Sequence, residues 1–357
     1  MRSRFGFLAL AATLALTLGT PAGSTTPTRA AGRDDTAWLQ ARLDSTGGLV
    51  SLPKLPGGEC YATRGLWVSH DDTRIVSNGA CITALGAGAA RLTSQDGDPV
   101  AADALFFVNR SRPLDAAPVR ISITGLRIVV PRAADMFGIG IFGHEVTVRG
   151  VTVTGEPVDA ITIGGRANGD GFAGRVSIVK CRLLGGTRNV VSATSVIGLR
   201  ITGSRISGAS DTHPETPGGR PFGNPGAGID LEPGGRGNPA LDVRFERNTI
   251  TRNAGPGILL GLSTNLGRLV YGTDIAIVAN RIIGNGTKTT PPQHGGIVFN
   301  GGQDRGGGRV LVERNVIRGN RGAGLQGRKD VNVVVVARRN DLRGNSGGRI
   351  SGLKVRG

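Results

Sequence analysis

The stretch VRFERNTITRN, residues 243–253, decides the fold, because three later stretches repeat it. These are IAIVANRIIGN (275–285), VLVERNVIRGN (310–320) and VVARRNDLRGN (335–345). Each carries alternating apolar residues, then an asparagine: Asn248, Asn280, Asn315 and Asn340. A second asparagine follows at a fixed distance: Asn253, Asn285, Asn320 and Asn345. Short alternating strands that recur with a polar residue at one fixed place predict a solenoid whose equivalent residues stack. Buried amides stacked in this way can hydrogen-bond to one another along the axis, which answers the cost of burying them.

Working outward, the same position holds Leu126, Val151, Cys181 and Ser204 in earlier coils. Only the second half therefore carries an asparagine ladder. The spacings run from 23 to 44 residues, so the shorter coils have room for three strands and the longer ones carry loops. The largest insertions are 208–228, 261–272 and 284–296, in three consecutive coils. They are expected to project from one side and wall a groove.

Composition agrees with a solenoid. Gly 60 is high but lacks a collagen period, and aromatics make up 4%, leaving a core of Val, Ile and Leu. Residues 1–30 read as a signal peptide and linker. Arg2 and Arg4 precede an apolar run from Phe5 to Leu18, too short to span a bilayer, and cleavage is expected after Ala22 or Ala30. The chain is thus expected to be secreted, without a transmembrane segment, and to act as a monomer. An exported chain can join Cys60 to Cys81, leaving Cys181 as a buried, inert thiol.

The net charge of +17 falls to about +14 once Arg2, Arg4 and Arg29 leave, favouring a polyanionic partner. The absence of a dense basic run and of interleaved aromatics argues against nucleic acid and for acidic polysaccharide. No P-loop, dinucleotide fingerprint, Ser-His-Asp order or Cys/His zinc cluster is present.

At the N-terminus, Asp34-Asp35-Thr36 opens a helix with Leu39 and Leu43 one turn apart, suited to cap the open end of the solenoid. DDTAWLQARLD, GGLVSLP and the following ECYATRGLWV resemble the opening of pectate-lyase-superfamily proteins. The later coils look like that superfamily's repeats. The resemblance implies an all-β fold: one right-handed single-stranded parallel β-helix over 31–357 with a short capping helix. It implies no single activity, since lyases, hydrolases, epimerases, esterases and non-catalytic surface proteins share the scaffold.

Candidate chemistry lies in GIDLEPG, where Asp230 and Glu232 alternate outward while Ile229 and Leu231 point in. The Asp230 row is otherwise Gly140, Thr162, Ser192, Leu259, Val298, Gln326 and Ser351. The Glu232 row holds Phe142, Gly164, Thr194, Gly261, Asn300 and Arg328. Only one coil presents two carboxylates. Such a pair can split into a protonated and an ionised member, or help hold a calcium ion with loop oxygens. His213 and His294, in flanking loops, are further catalytic candidates, as is Arg328, placed two coils along the Glu232 row. Asn300 and Asp159 are candidates for substrate binding. DTHPE (211–215) is similar to the acid-His-acid motif of mannuronan epimerases, but Thr212 and Pro214 depart from it. The expectation is a polysaccharide lyase acting by β-elimination on an acidic polymer. Hydrolysis, epimerisation or a non-catalytic envelope-binding role are the alternatives.

Overall fold

A computed structural model describes residues 34–44, 48–86, 92–93, 99–100, 103–108, 119–164, 173–210, 212, 226–233, 240–262, 273–288, 294–300, 308–328, 331 and 333–357. From Asp34 onward the chain forms one compact unit. Three parallel sheets run its length, with eleven, nine and ten strands, here called A, B and C. Sheet A runs from Leu49–Leu52 to Val355–Arg356, sheet B from Cys60–Thr63 to Val316–Arg318, and sheet C from Leu66–Val68 to Ile350–Ser351. Each turn of the chain visits A, B and C in order, then returns one strand further along. That is the expected β-helix.

Alternation within each strand builds the core. In Thr147–Arg149 and Val243–Glu246 the residues pointing in are buried and their neighbours are not. Ile75, Ile123, Val148, Ile178, Ile201, Phe245, Ile277 and Val312 stack inside sheet A. The stack excludes water with β-branched side chains that also favour extended backbone.

The corner between sheets A and B is uniform. From Ser122–Thr124 onward, two residues separate each sheet A strand from the start of sheet B. The first of the two is left-handed in every coil, from Gly125 at φ 71° to Arg339 at φ 52°. The second is the ladder residue. Asn280 donates its backbone N–H and its amide to Asn315 Oδ1, at 2.8 and 3.0 Å. The same amide donates to Phe245 O at 2.7 Å. Asn248 bonds to Asn280 in the same way, and Ser204 N–H donates to Asn248 Oδ1, so the ladder extends one coil earlier than its asparagines. The second set, Asn253, Asn285, Asn320 and Asn345, repeats the pattern.

The helix Thr36–Asp44 is opened by Asp34, which accepts from Thr36 N–H at 2.9 Å. Trp38 stacks on Tyr61, with centroids 5.6 Å apart. Cys60 and Cys81 face each other on adjacent sheet B strands and form a disulfide. Cys181 is free and buried, and burial pushes its thiol up. No helix of the described residues is long and apolar enough to cross a membrane.

The insertions do not share one corner. Segments 208–228 and 284–296 join sheet B to sheet C, whereas 261–272 joins sheet C to sheet A. They therefore flank sheet C from both edges. The interiors, 213–225, 263–272 and 289–293, lie outside the described residues.

Candidate functional site

Sheet C carries the acids. Its register aligns Thr162, Ser192, Asp230, Leu259, Val298, Gln326 and Ser351 in one row, as the alternation predicts. The row also runs back through Gly140 to Phe107 and Trp67, whose rings lie 4.7 Å apart, with Phe142 stacked beyond. Outward does not mean solvated here. Asp230 is only 6% exposed, and Leu259 and Val298 are fully buried.

Asp230 has one partner for two oxygens. Its Oδ2 accepts from the Asn189 amide at 2.9 Å, while Oδ1 is buried with no partner. Burial is the main force raising Asp230 well above the usual carboxylate range, and the charge of Glu232 adds to it. Arg188 opposes that shift. Glu232 is less enclosed; burial also raises it, again against Arg188. A β-carbon on Gly261 would come within 2.4 Å of Glu232 Cγ, so any larger residue there would push the acid's side chain from its place.

A short polar chain leads away from the pair. Asp159 is fully buried and binds Arg188 through two contacts, one of 3.1 Å and one closer. Asn189 joins the two groups: its N–H donates to Asp159 Oδ1 at 3.1 Å, while its amide reaches Asp230 and Ser192. Its own Oδ1 is held by Ala227 N–H at 2.9 Å. Every hydrogen-bonding group of Asn189's side chain is thereby fixed, and so is its orientation. Arg188 and Asn189 are the members of the site that sequence reasoning missed; Ser192 stood in the Asp230 row without a role. The available signal was that Asp159 and Asn189 occupy one position of successive coils.

Other candidates fall away from the pair. His294 precedes Gly295–Asn300, four residues before Val298 and two strands beyond Asp230. That places it roughly 13 Å along the strand from the row. It packs by Gly286 and Arg321 instead, and burial lowers its pKa. It is not part of the acid cluster, because loop adjacency in sequence did not fix its position along the strand. Arg328 follows Gly327 in the Glu232 row but lies three strands away, not two, with Gly261 and Asn300 between. Asn300 is two strands from Glu232 and half-buried. Asp159 is a partner of Arg188 rather than a free substrate ligand. His213 lies outside the described residues.

Calcium takes six to eight oxygens. No group of three or more His, Cys, Asp or Glu placed to hold a metal occurs among the described residues, and burial favours a neutral Asp230. The acid pair alone does not fit such a cage, so its chemistry is derived without a cation. A hollow of about 560 Å³ on sheet A is lined by Asp72, Arg120, Glu145 and Arg175. Those four form two exposed ion pairs, Arg120 with Asp72 and Arg175 with Glu145.

Residues 134–346 match the sequence profile of the right-handed β-helix region. The chain belongs to the right-handed β-helix family. Among solved structures, this β-helix is similar to the A-module of an Azotobacter vinelandii mannuronan C-5 epimerase. Identity is 14% with a TM-score of 0.43, covering 90% of this chain and 94% of that one. It is also similar to PfbA, a surface adhesin of Streptococcus pneumoniae, at 14% identity and TM-score 0.40, covering 90% of each. The enzymatically active domain of bacteriophage CBA120 tailspike protein 2 gives 11% identity and a TM-score of 0.50. That match covers 86% of this chain, which spans 45% of the tailspike domain. At such identities the likeness is one of fold. No curated protein matches the sequence.

Proposed function

We propose that this β-helix is an exported enzyme that cleaves an acidic polysaccharide by proton transfer at Asp230 and Glu232. One observation carries the reading: Asp230 and Glu232 leave the same face of one strand, and Asp230 is buried with one carboxyl oxygen that has no partner. Mutual repulsion and burial divide such a pair into a donor and an acceptor. Asp230, the more deeply buried, keeps the proton and gives it to the glycosidic oxygen. Glu232, less enclosed, stays ionised longer and accepts a proton. Arg188 pairs with Asp159, and its charge limits how far both pKa values climb.

Hydrolysis asks the least of this arrangement, because one acid and one base suffice. Glu232 then takes its proton from the attacking water. The second reading, β-elimination, is favoured by the basic charge of the chain, which suits uronates. It also requires the uronate carboxylate to be neutralised. Arg188 acts on both acids, but Asp159 already engages it. The tailspike domain of like fold is enzymatically active, in keeping with catalysis on this scaffold. Export is supported by the charged-then-apolar leader and by the Cys60–Cys81 disulfide.

The test is a panel of neutral and acidic polysaccharides, read for new reducing ends and for the ultraviolet absorbance of unsaturated uronates. Reducing ends alone mean hydrolysis, and both signals together mean elimination. Retention on polymer with neither product would leave a binding protein and end the catalytic reading.

A further inference from the structure

The corner between sheets A and B has a second property besides its ladder. It carries no insertion in eight consecutive coils, whereas both edges of sheet C do. The buried side of the corner is amide and apolar; its outer side is cationic. The left-handed position holds Lys180, Arg247, Arg314 and Arg339, all exposed. Two residues further, the first position of sheet B holds Arg127, Arg182, Arg205 and Arg281, again all exposed. Parallel pairing puts these side chains in register along the axis. Arg182 stands beside Arg205, and Arg281 is one strand beyond Thr249.

Like charges one strand apart repel, so this arrangement does not stabilise the fold by itself. Acids neutralise it only in part. Glu246 lies 3.8 Å from Arg247, and Glu313 and Asp341 are the other carboxylates along the corner. At ~4.8 Å per strand the cations span roughly 34 Å. The corner lies across the core from sheet C, so its charges are distinct from the acid site.

We infer that this cationic corner is a docking surface for an extended acidic polysaccharide laid along the helix axis. A polyuronate carries one carboxylate on each sugar, which matches a straight edge offering about one cation per strand. Single-stranded nucleic acid would want aromatic faces for its bases, and no outward position of this corner is aromatic. The inference shares with the proposed function only the class of polymer, and holds whether or not the acids are catalytic.

The experiment compares two quadruple variants with equal charge loss. One is Arg182→Gln, Arg205→Gln, Arg247→Gln and Arg281→Gln at the corner. The other is Arg74→Gln, Arg132→Gln, Arg349→Gln and Arg356→Gln elsewhere. Binding to immobilised polygalacturonate is measured between low and moderate salt, in an Asp230→Asn background so that the polymer survives. The corner variant should lose at least about tenfold in affinity and flatten the salt dependence, as fewer counterions are released. The control set should stay near its parent. Equal losses in both sets would mean diffuse charge and overturn the inference. So would equal binding by the corner variant and its parent, a parent without salt dependence, or tighter binding of oligothymidylate than of polygalacturonate. The salt dependence of the parent needs no variant to fold. The catalytic reading fails separately, by absence of products from the native protein.

Discussion

Two regions of this molecule bury polar side chains, and they do so in opposite ways. At the corner between sheets A and B the interior ladder amides find partners above and below: Asn280 receives from Asn248 and gives to Asn315 and Phe245. On sheet C, Asp230 is almost as deeply buried but leaves an oxygen without a partner, beside a second acid. A satisfied polar stack fixes structure. A buried acid with an unpaired oxygen beside a second acid costs stability and retains reactivity, which is the pattern of a functional site. The contrast assigns stability to one region and chemistry to the other, and each assignment can be broken separately.

The largest expected effect is on the chemistry. Glu232→Gln keeps the shape of the side chain and removes the base, so turnover should fall by about 10²- to 10⁴-fold while the protein remains folded. Activity within a few-fold of the native protein would remove Glu232 from the mechanism. Gly261→Ala changes no charge but intrudes on Glu232. It should lower activity by about tenfold or more, with the misplacement rather than pKa as the cause. A pH–rate profile with unchanged apparent pKa values checks that distinction.

On the structural side, Asn280→Leu strands the Asn248 donors and the Phe245 carbonyl inside the corner. Chemical denaturation should show a loss of roughly 1–3 kcal/mol. An unchanged midpoint would mean that the ladder contributes nothing, and the comparison would lose one of its halves. The smallest effect is a silence: Cys181 should not react with thiol reagent until the protein unfolds, and should then report one thiol per non-reduced chain.

Much of this was legible in the sequence, for a physical reason. In a solenoid, neighbours in space are equivalent positions in successive coils, so aligning VRFERNTITRN with its repeats aligns the structure. The ladder and the Asp230 row followed from that alignment, whereas the capping helix followed from its Asp-Asp-Thr start and the disulfide from the expected export. The burial of Asp230 did not, because alternation says which face a side chain leaves from and not what covers that face. Arg188 and Asn189 escaped because their role depends on links across 29 to 41 residues between three coils. His294 was misplaced because a loop residue has no register until its strand begins. Arg328 was put one strand too close by counting coils across insertions.

The central claim is that Asp230 is held protonated at a cost to the fold, for the sake of its chemistry. Thermal stability of the native protein and Asp230→Asn, measured across pH beside activity, tests it most directly. Below the ordinary aspartate pKa, about 3.9, the acid is neutral in both folded and unfolded chains. Its stability contribution is then fully present. As pH rises toward the higher folded value, the unfolded chain releases its proton first, and stability is lost. Asparagine cannot ionise and still accepts from Asn189. The variant should therefore match the native protein at acid pH, melt higher at neutral and alkaline pH, and lose activity throughout. A variant that melts lower across the whole range while retaining activity would contradict the account, making Asp230 a structural residue like those of the ladder.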